Sequence, residues 1–498
     1  MSLVKKLAGE TAIYGVSSIL SRLLNYVVLT PYLTRVFLQG QFGVVSDMYA
    51  YAALLMVIFT YRMETAFFRF GSREDGIEKT FSTSAISIIF TTILFVGSLL
   101  IFAQPVANFL EYPDHRDYII WFTFIIGFDA LAAIPFAKLR LENRPIRFAV
   151  VKTLNILVNI FFIFFFLEIC PLLIENGWTW LEAIYNSENR IAYVFIANFL
   201  GSLSVMLFLL PEYFKIKLKF DKVLWKKMMV YTLPLVVVGI AAVINQLINI
   251  PLLKKFLPYD LETNLAKIGV YTACYKIAIL MSLFIQAFNY AAEPFFFRHA
   301  KRDDSKVIYA QVGQAFAMVG SLVFLGIMSY IEIIQYLIGE NFREGLHIVP
   351  ILLLAFLFLG LYYNFSIWFK LTDRTRIGAY ISLGGAVITI SLNIVLIPII
   401  EYEGSAWAAL ACYSFMAFTS YFIGKKYYPI PYPIGRMLLY IGLAVGAYFL
   451  GEYGRGLLDG NFWSTIVLNT IILLFYLGTI YVIEKRAIRK ILFGKEKA

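Results

Sequence analysis

Charged residues, histidine and cysteine are scarce in this sequence of 498 residues. Only 15% of the residues are charged, whereas 60% are hydrophobic. A soluble globular protein carries roughly 25% charged residues, so this composition excludes that class. The three histidines and three cysteines show no spacing typical of a metal site. We therefore predict that the protein holds no metal ion and no other cofactor.

Sequence signatures of catalysis are also missing. No G-x4-G-K-[ST] motif is present, so ATP hydrolysis by this chain is not expected. A membrane enzyme needs acidic or histidine side chains clustered at one interface, and no such cluster is found. No long soluble segment is available for a glycosyltransferase or polymerase domain. We predict that the protein is not an enzyme.

Long apolar runs, in contrast, occupy most of the chain. Most have roughly 18–25 residues, the length with which a helix crosses a bilayer. They do not alternate as barrel strands do, so we predict an all-α polytopic membrane protein with about 14 transmembrane helices. The predicted spans are 12–36, 42–66, 80–104, 117–138, 147–169, 191–211, 229–252, 267–292, 308–330, 347–369, 376–399, 404–424, 435–451 and 462–483.

The basic residues predict the orientation of these spans. If the N-terminus is cytoplasmic, most of the 43 lysine and arginine residues fall in cytoplasmic segments. This asymmetry favours an even number of spans with both termini cytoplasmic. It also explains the net charge of +11 through topology and contact with anionic membrane lipids, and we predict no nucleic-acid partner.

A pattern in the first two spans, residues 21–69, returns in part in the second half. Because six spans separate the copies, the halves must be parallel, which is an arrangement of membrane transporters. We predict an N-lobe of helices 1–6 (1–214), a basic linker (215–228), a C-lobe of helices 7–12 (229–426), helices 13–14 (427–484) and a basic tail (485–498). The matching positions are Asn25, Pro31 and Arg35 with Asn245, Pro251 and Lys255, Gly43 and Tyr49 with Gly269 and Tyr275, and Glu64 and Arg69 with Glu293 and Arg298.

Two cations lie deep inside predicted spans. Arg22 shares a helix face with Asn25, about ten residues from the start of the first span. Lys276 lies equally deep in the eighth span. A charge at such depth faces either a water-filled cavity or an acidic partner, and Asp129 is a candidate partner for Arg22.

Other charged residues in the spans allow two interpretations each. Asp129 either serves a coupling cation or proton or pairs with Arg22. Lys152 either lines a cavity or extends to the cytoplasmic surface. Arg62 and Glu64 are either functional or part of an interfacial ion cluster with Arg69.

The first helices also carry a family resemblance. The segments are Ser21-Arg22-Leu-Leu-Asn-Tyr, Leu33-Thr-Arg35-Val-Phe and Gln41-Phe-Gly43-Val. They resemble the multidrug/oligosaccharidyl-lipid/polysaccharide (MOP) exporter superfamily, above all its polysaccharide transporter branch, the Wzx-type flippases. The six-plus-six-plus-two arrangement resembles that superfamily's larger members over the whole chain.

Two other branches are alternatives. The lipid II flippase branch shares Ser21-Arg22 and the Glu64-x-Ala66-Phe67 element, but it usually has an arginine where this chain has Val28. Cation-coupled multidrug antiporters typically have twelve spans and fewer cations in the cavity.

The resemblance implies a flippase of the bacterial inner membrane for O-antigen (lipopolysaccharide) or capsule biosynthesis. Its substrate would be an undecaprenyl-pyrophosphate-linked oligosaccharide, moved by alternating access. The other implied partners are a coupling cation (H+ or Na+), membrane lipids and polysaccharide assembly proteins. The predicted substrate-binding residues are Arg22, Asn25, Arg62, Lys152, Asn245, Asn249 and Lys276, and the predicted coupling or ion-pair residues are Asp47, Glu64, Asp129 and Glu293.

Overall fold

The computed structural model describes residues 20, 22–72, 76–183, 185–217, 219–300, 302–458 and 461–493. Over these ranges the regular elements are all helices, and the predicted all-α fold is confirmed. Ser21 of the family pattern and the beginning of the first predicted span lie outside the described residues.

Twelve helical segments of the described ranges are long and apolar enough to cross a membrane. One of them, Thr375–Tyr427, combines the predicted spans 376–399 and 404–424, with a non-helical break at Ile400 and Glu401. Together with the first span, only partly described, they agree with the prediction of about 14 helices. The protein is a multi-pass membrane protein.

The helices of the first half run from the polar first span to the basic connection between the halves. They are π1 Asn25–Leu29, α1 Thr30–Val36, α2 Gln39–Thr60, α3 Met63–Gly71, α4 Ile77–Ile101, α5 Ala103–Phe109, α6 Arg116–Leu141, α7 Pro145–Phe164, π2 Phe165–Ile169, α8 Cys170–Glu175, two 3-10 turns Thr179–Ala183 and Ser187–Asn189, and α9 Arg190–Tyr213.

The second half contains the longest helices. They are α10 Lys222–Leu247, α11 Asn249–Phe256, α12 Leu261–His299, α13 Ser305–Ser329, α14 Ile331–Ile334, 3-10 turns Gln335–Leu337 and Glu340–Ile348, α15 Val349–Phe365, α16 Ile367–Leu371, α17 Thr375–Tyr427, α18 Ile434–Leu457 and α19 Phe462–Phe493.

The described residues form two compact units. The first comprises the residues up to Gly269 together with Thr389–Glu401, and the second comprises Val270–Ile388 and the residues from Tyr402 onwards. The first unit therefore holds the N-lobe helices and also α10, α11 and the start of α12. The lobe boundaries drawn from the repeat stay a prediction.

In the first unit, α6, α7 and α9 pack around a shared apolar cluster that includes Phe136, Phe148 and Leu209. Close approach of α7 and α9 depends on Gly201, because a Cβ there would lie 3.1 Å from the backbone oxygen of Asn155. Small residues permit this kind of helix contact in membranes, where dispersion and polar contacts replace the hydrophobic effect.

In the second unit, the final helices are attached to α13 by polar contacts. The buried Glu484 of α19 accepts hydrogen bonds from Tyr440 of α18 (2.5 Å) and from Gln314 of α13 (3.1 Å). Arg436 lies 3.4 Å from the same carboxylate. Near the opposite end of α13, Asn469 donates to the backbone oxygen of Ser329 (3.1 Å). These contacts fix the register of the last helix pair on α13.

Two repeat-related glycines form a reciprocal helix crossing in the first unit. A Cβ on Gly43 of α2 would overlap the backbone carbonyl of Leu265 in α12, and a Cβ on Gly269 would overlap that of Gln39 in α2. Each glycine therefore lets the other helix approach backbone to backbone. The sequence repeat had paired these two positions without indicating that they touch neighbouring turns of the same crossing.

We expect Gly43→Ala and Gly269→Ala each to lower the unfolding temperature of the detergent-purified protein. The added methyl group forces backbone to move, which costs about 1–3 kcal/mol. The matched control is Gly97→Ala in α4, where nothing lies within 4 Å of the new Cβ. Equal unfolding temperatures for the Gly43 and Gly97 variants, followed by tryptophan fluorescence, would contradict this account of the crossing.

Candidate functional site

The first helix of each half is irregular at corresponding positions. Asn25 begins the π-helical segment π1. In the second half, α10 ends at Leu247 and α11 begins at Asn249, separated by the turn at Ile248. The repeat aligns Asn25 with Asn245, which lies three residues before Ile248. Interrupted helices at matching positions of two repeats indicate a binding site in transporters, and π segments recur at functional sites.

The asparagines predicted for this site lie at these irregular segments. Asn25 is half-buried, and Asn245 and Asn249 are buried, on either side of the α10–α11 junction. Their amides therefore sit where the helix backbone leaves its regular hydrogen-bond ladder.

Arg22, Lys152 and Asp129 form an electrostatically coupled group in the first unit. Lys152 is attracted by Asp129 and repelled by Arg22. The Asp129 carboxylate accepts a hydrogen bond from Ser202 (2.8 Å), and the Lys152 ammonium lies 4.5 Å from the ring centre of Phe136. Among the described residues, the group therefore contains two cations and one carboxylate, an excess of one positive charge.

The apolar and polar residues of α7 lie on opposite faces of the helix. Lys152, Asn155 and Asn159 share one face of α7 at helical spacing. The opposite face is an exposed apolar stripe suited to lipid, formed by Ile146, Val150, Leu157 and Phe161. Lys152 therefore lies on the face turned away from this stripe, where its side chain is exposed. The electrostatic attraction by Asp129 favours the cavity interpretation over extension to the surface.

Three polar neighbours of this group were missing from the sequence prediction. Ser202 donates to Asp129, and Asn198 donates to the Tyr49 hydroxyl (2.5 Å). Tyr49 is also within electrostatic range of Asp129. Asn198 and Ser202 lie four residues apart in the apolar helix α9, and this spacing was the available sequence signal. We call Arg22, Lys152, Asp129, Asn198 and Ser202 the N-lobe polar group.

The second predicted span is broken in the middle of its charged segment. Tyr61 and Arg62 separate α2 from α3, and both adopt left-handed backbone conformations, with φ of 33° and 57°. Such conformations cost about 1–3 kcal/mol in non-glycine residues and concentrate at functional sites. Arg62 packs against Gly239 of α10, where a Cβ would lie 2.6 Å from its Nε.

The ion cluster expected at this point is only partly formed. Arg62 lies 3.9 Å from Glu64. Arg69, the third expected member, instead lies over the ring of Tyr231, 4.2 Å from its centre. The break in the helix, which the sequence did not indicate, distinguishes Arg62 from a simple surface cation.

Asp47 belongs to a buried ion pair. Its carboxylate lies 3.0 Å from the ammonium of Lys254 in α11 and accepts a hydrogen bond from Tyr112 (2.8 Å). Burial and the charge of Asp47 raise the pKa of Tyr112 well above its usual value, so its hydroxyl remains a donor. The repeat had singled out Lys255, which is exposed, whereas Lys254 is buried.

Two predicted site residues lie in the second unit. Lys276 is half-buried in α12, one helical turn from the buried Thr272. Glu293 forms an ion pair with Lys370 of α16, 2.7 Å apart and partly exposed. Pairing of this kind at a helix end contributes little stability.

Sequence comparison identifies the family. A family model described as a polysaccharide biosynthesis protein matches residues 7–300, which is more than half of the chain. The chain belongs to this family. The predicted membership of the MOP exporter superfamily, in its polysaccharide branch, is confirmed. Among curated protein sequences, no significant match to the chain is found.

Solved structures of the superfamily share the fold of this polysaccharide biosynthesis family member. Lipid II flippase MurJ, in an inward closed conformation, has a TM-score of 0.69 and 14% identity, covering 96% of this chain and 100% of that chain. An inward-facing multidrug resistance MATE family transporter of the MOP superfamily has a TM-score of 0.60 and 14% identity, covering 84% and 94%. An outward-facing multidrug resistance MATE family transporter has a TM-score of 0.58 and 14% identity, and the match covers 86% of this chain and 98% of that chain. The family and this fold are those of membrane transporters.

We expect Asp47→Asn to destabilise the protein by about 3–5 kcal/mol, because the buried Lys254 ammonium then keeps only the exposed carboxylate of Glu111, at 3.8 Å, as a counter-charge. The double variant Asp47→Asn/Lys254→Met should recover most of this loss. Lys217→Gln is the control, since its pair with Glu78 (2.6 Å) is exposed and exposed ion pairs contribute little to stability. The stabilities of the three variants are compared by thermal unfolding in detergent. If the double variant is no more stable than Asp47→Asn, the Asp47–Lys254 pair does not account for the loss of stability.

Proposed function

We propose that the protein is a flippase that moves an undecaprenyl-pyrophosphate-linked oligosaccharide across the bacterial inner membrane. The observation that carries this proposal is the uncompensated positive charge of the N-lobe polar group, inside helices of a polysaccharide biosynthesis family member. Drug antiporters for cations would require an excess of carboxylates at this place instead.

The pyrophosphate is the part of the substrate that these cations suit. Arg22 presents a planar guanidinium that matches phosphate oxygens with paired hydrogen bonds, and Lys152 supplies a compact second charge. Their mutual repulsion is relieved when an anion binds between them. Arg62, at the break between α2 and α3, is a third cation proposed for this substrate. Lys276 is also proposed as a substrate-binding residue.

The oligosaccharide requires neutral hydrogen-bonding groups. Amides donate and accept hydrogen bonds and therefore match sugar hydroxyls without the desolvation cost of a charge. Asn25, Asn245 and Asn249 provide such groups at the irregular segments of the first helix of each half. Backbone groups released by these irregularities add further donors and acceptors.

Energy coupling is proposed to involve Asp129. In the absence of substrate its carboxylate offsets the charge of Lys152. A proton or Na+ that binds Asp129 would remove this offset and strengthen the field acting on the pyrophosphate. Asp47, Glu64 and Glu293 are proposed as ion-pair residues, and both termini are proposed to be cytoplasmic, where the polysaccharide assembly proteins deliver the substrate.

Arg22→Ala and Lys276→Ala are each expected to abolish surface polysaccharide while the protein remains in the membrane. A hydrogen bond to a charged group contributes about 1.5–3 kcal/mol, so loss of one cation should weaken pyrophosphate binding by about 10-fold to 100-fold. The readout is surface polysaccharide in a strain that lacks the chromosomal copy, with membrane levels measured by immunoblot.

One matched control keeps the positive charge at position 22, and the other removes a positive charge outside the proposed site. Arg22→Lys should retain partial export, and Lys227→Ala, exposed at the start of α10, should retain full export. Normal export in both alanine variants would refute the assignment of Arg22 and Lys276. Accumulation of a peptidoglycan precursor in the deletion strain would instead support lipid II as the substrate, and lost resistance to cationic drugs would support a multidrug antiporter.

A further inference from the structure

A second group of cations surrounds Glu212, at the end of the first unit predicted to be cytoplasmic. The Glu212 side chain is fully buried and lies 3.0 Å from Lys138 and 2.7 Å from Arg147. Arg144 (3.5 Å) and Lys215 (3.3 Å) contact the same carboxylate. We call these five residues the Glu212 cluster. It joins the ends of α6 and α9 to the beginning of α7.

The cluster carries more positive charge than Glu212 can offset. Lys138 is buried, lies over the ring of Phe81 at 4.2 Å and also approaches Glu142 at 3.8 Å. With Glu142 included, four cations face two carboxylates. Arg144 also lies 3.2 Å from Glu142, and Lys215 shares Glu212 with Lys138 and Arg147. The four cations therefore share two carboxylates, and the positive charge that remains in excess can attract another anion.

Arg144 and Lys215 are also the accessible members of the cluster. Their side chains are 44% and 52% exposed, whereas that of Lys138 is 7% exposed. A ligand can therefore reach these two cations while the ion pair beneath them stays intact. The cluster is in this respect a preformed surface site on a rigid base.

Apolar stripes lead from the cluster along two helices. On α7 the exposed stripe begins at Ile146 and Val150, immediately beside Arg147. On α9 the exposed residues Leu207 and Phe208 precede Glu212, and Arg147 donates to the backbone oxygen of Phe208 (3.5 Å). Both stripes lie on helix faces opposite the N-lobe polar group, by helical spacing. They therefore face the hydrocarbon of the bilayer.

We propose that the Glu212 cluster binds the phosphate headgroup of an anionic phospholipid of the predicted cytoplasmic leaflet. Arg144 and Lys215 contact the phosphate, and the acyl chains lie along the stripes of α7 and α9. Basic pockets between transmembrane helices at this side of a membrane are suited to anionic headgroups. A free anion would use the cations alone, whereas a lipid also uses the apolar stripes, and the observed combination favours the lipid.

Lipid binding can be measured directly, without transport, so the outcome does not depend on the flippase proposal. The detergent-purified full-length protein is titrated with phosphatidylglycerol and followed by native mass spectrometry. The test variant is Arg144→Gln/Lys215→Gln, which leaves Lys138 and Arg147 on Glu212. We expect its apparent affinity for phosphatidylglycerol to fall roughly tenfold or more, because each cation near the membrane surface adds to the attraction.

The control variant is Lys226→Gln/Lys227→Gln, which removes the same charge from exposed positions of α10. It should bind phosphatidylglycerol as the native protein does, and phosphatidylcholine should bind the native protein weakly. An equal loss in both variants, or no preference over phosphatidylcholine, would overturn the proposal. Inorganic pyrophosphate that displaces the lipid at similar concentration would also overturn it, in favour of a free-anion site.

The folding of the test variant is checked by its unfolding temperature. If the double variant does not fold, Lys215→Gln alone serves, since it removes the most exposed cation of the cluster. The charge-preserving pair Arg144→Lys/Lys215→Arg should restore binding, and failure of this pair to bind would count against a headgroup site.

Discussion

The constraint on which this structure depends is the cost of a charge in hydrocarbon. An ionised side chain among apolar helices requires an opposite charge, water or a ligand. Asp47 and Lys254 meet this requirement as a buried pair, with Tyr112 as an additional donor. The pair connects α2 to α11. Because a buried charge without a partner is costly, charged residues are rare among these helices, and those that are present strongly influence how the helices are positioned.

The two uncompensated groups stand out against this background. Lys152 is attracted by Asp129 and repelled by Arg22, and the cations around Glu212 exceed the acids beside them. The first group lies opposite the exposed apolar stripe of α7, and the second lies at the end of two such stripes. The two proposed ligands, a lipid-linked pyrophosphate and a phospholipid, would therefore use different cations of the same protein.

The sequence predicted more of the fold than of the candidate site. Apolar run length predicted the helices, and the repeat predicted that Asn25 and Asn245 occupy related places, where both first helices are irregular. The same repeat selected Lys255, although its neighbour Lys254 is the buried cation. Neighbouring residues point about 100° apart around a helix. Because both positions are lysine, the sequence match could not show which of the two side chains is buried.

The sequence by itself determined the class of the protein, the number of helices within a small error, and its family, since these follow from hydrophobicity and local pattern. Only the tertiary structure decided which charges meet. Ser202 and Asp129 are 73 residues apart along the chain, and Lys254 and Asp47 are 207 apart. Contacts over such separations depend on how the helices pack. The break at Tyr61 and Arg62, where Arg62 lies against Gly239, is likewise not marked by a helix-breaking residue in the sequence.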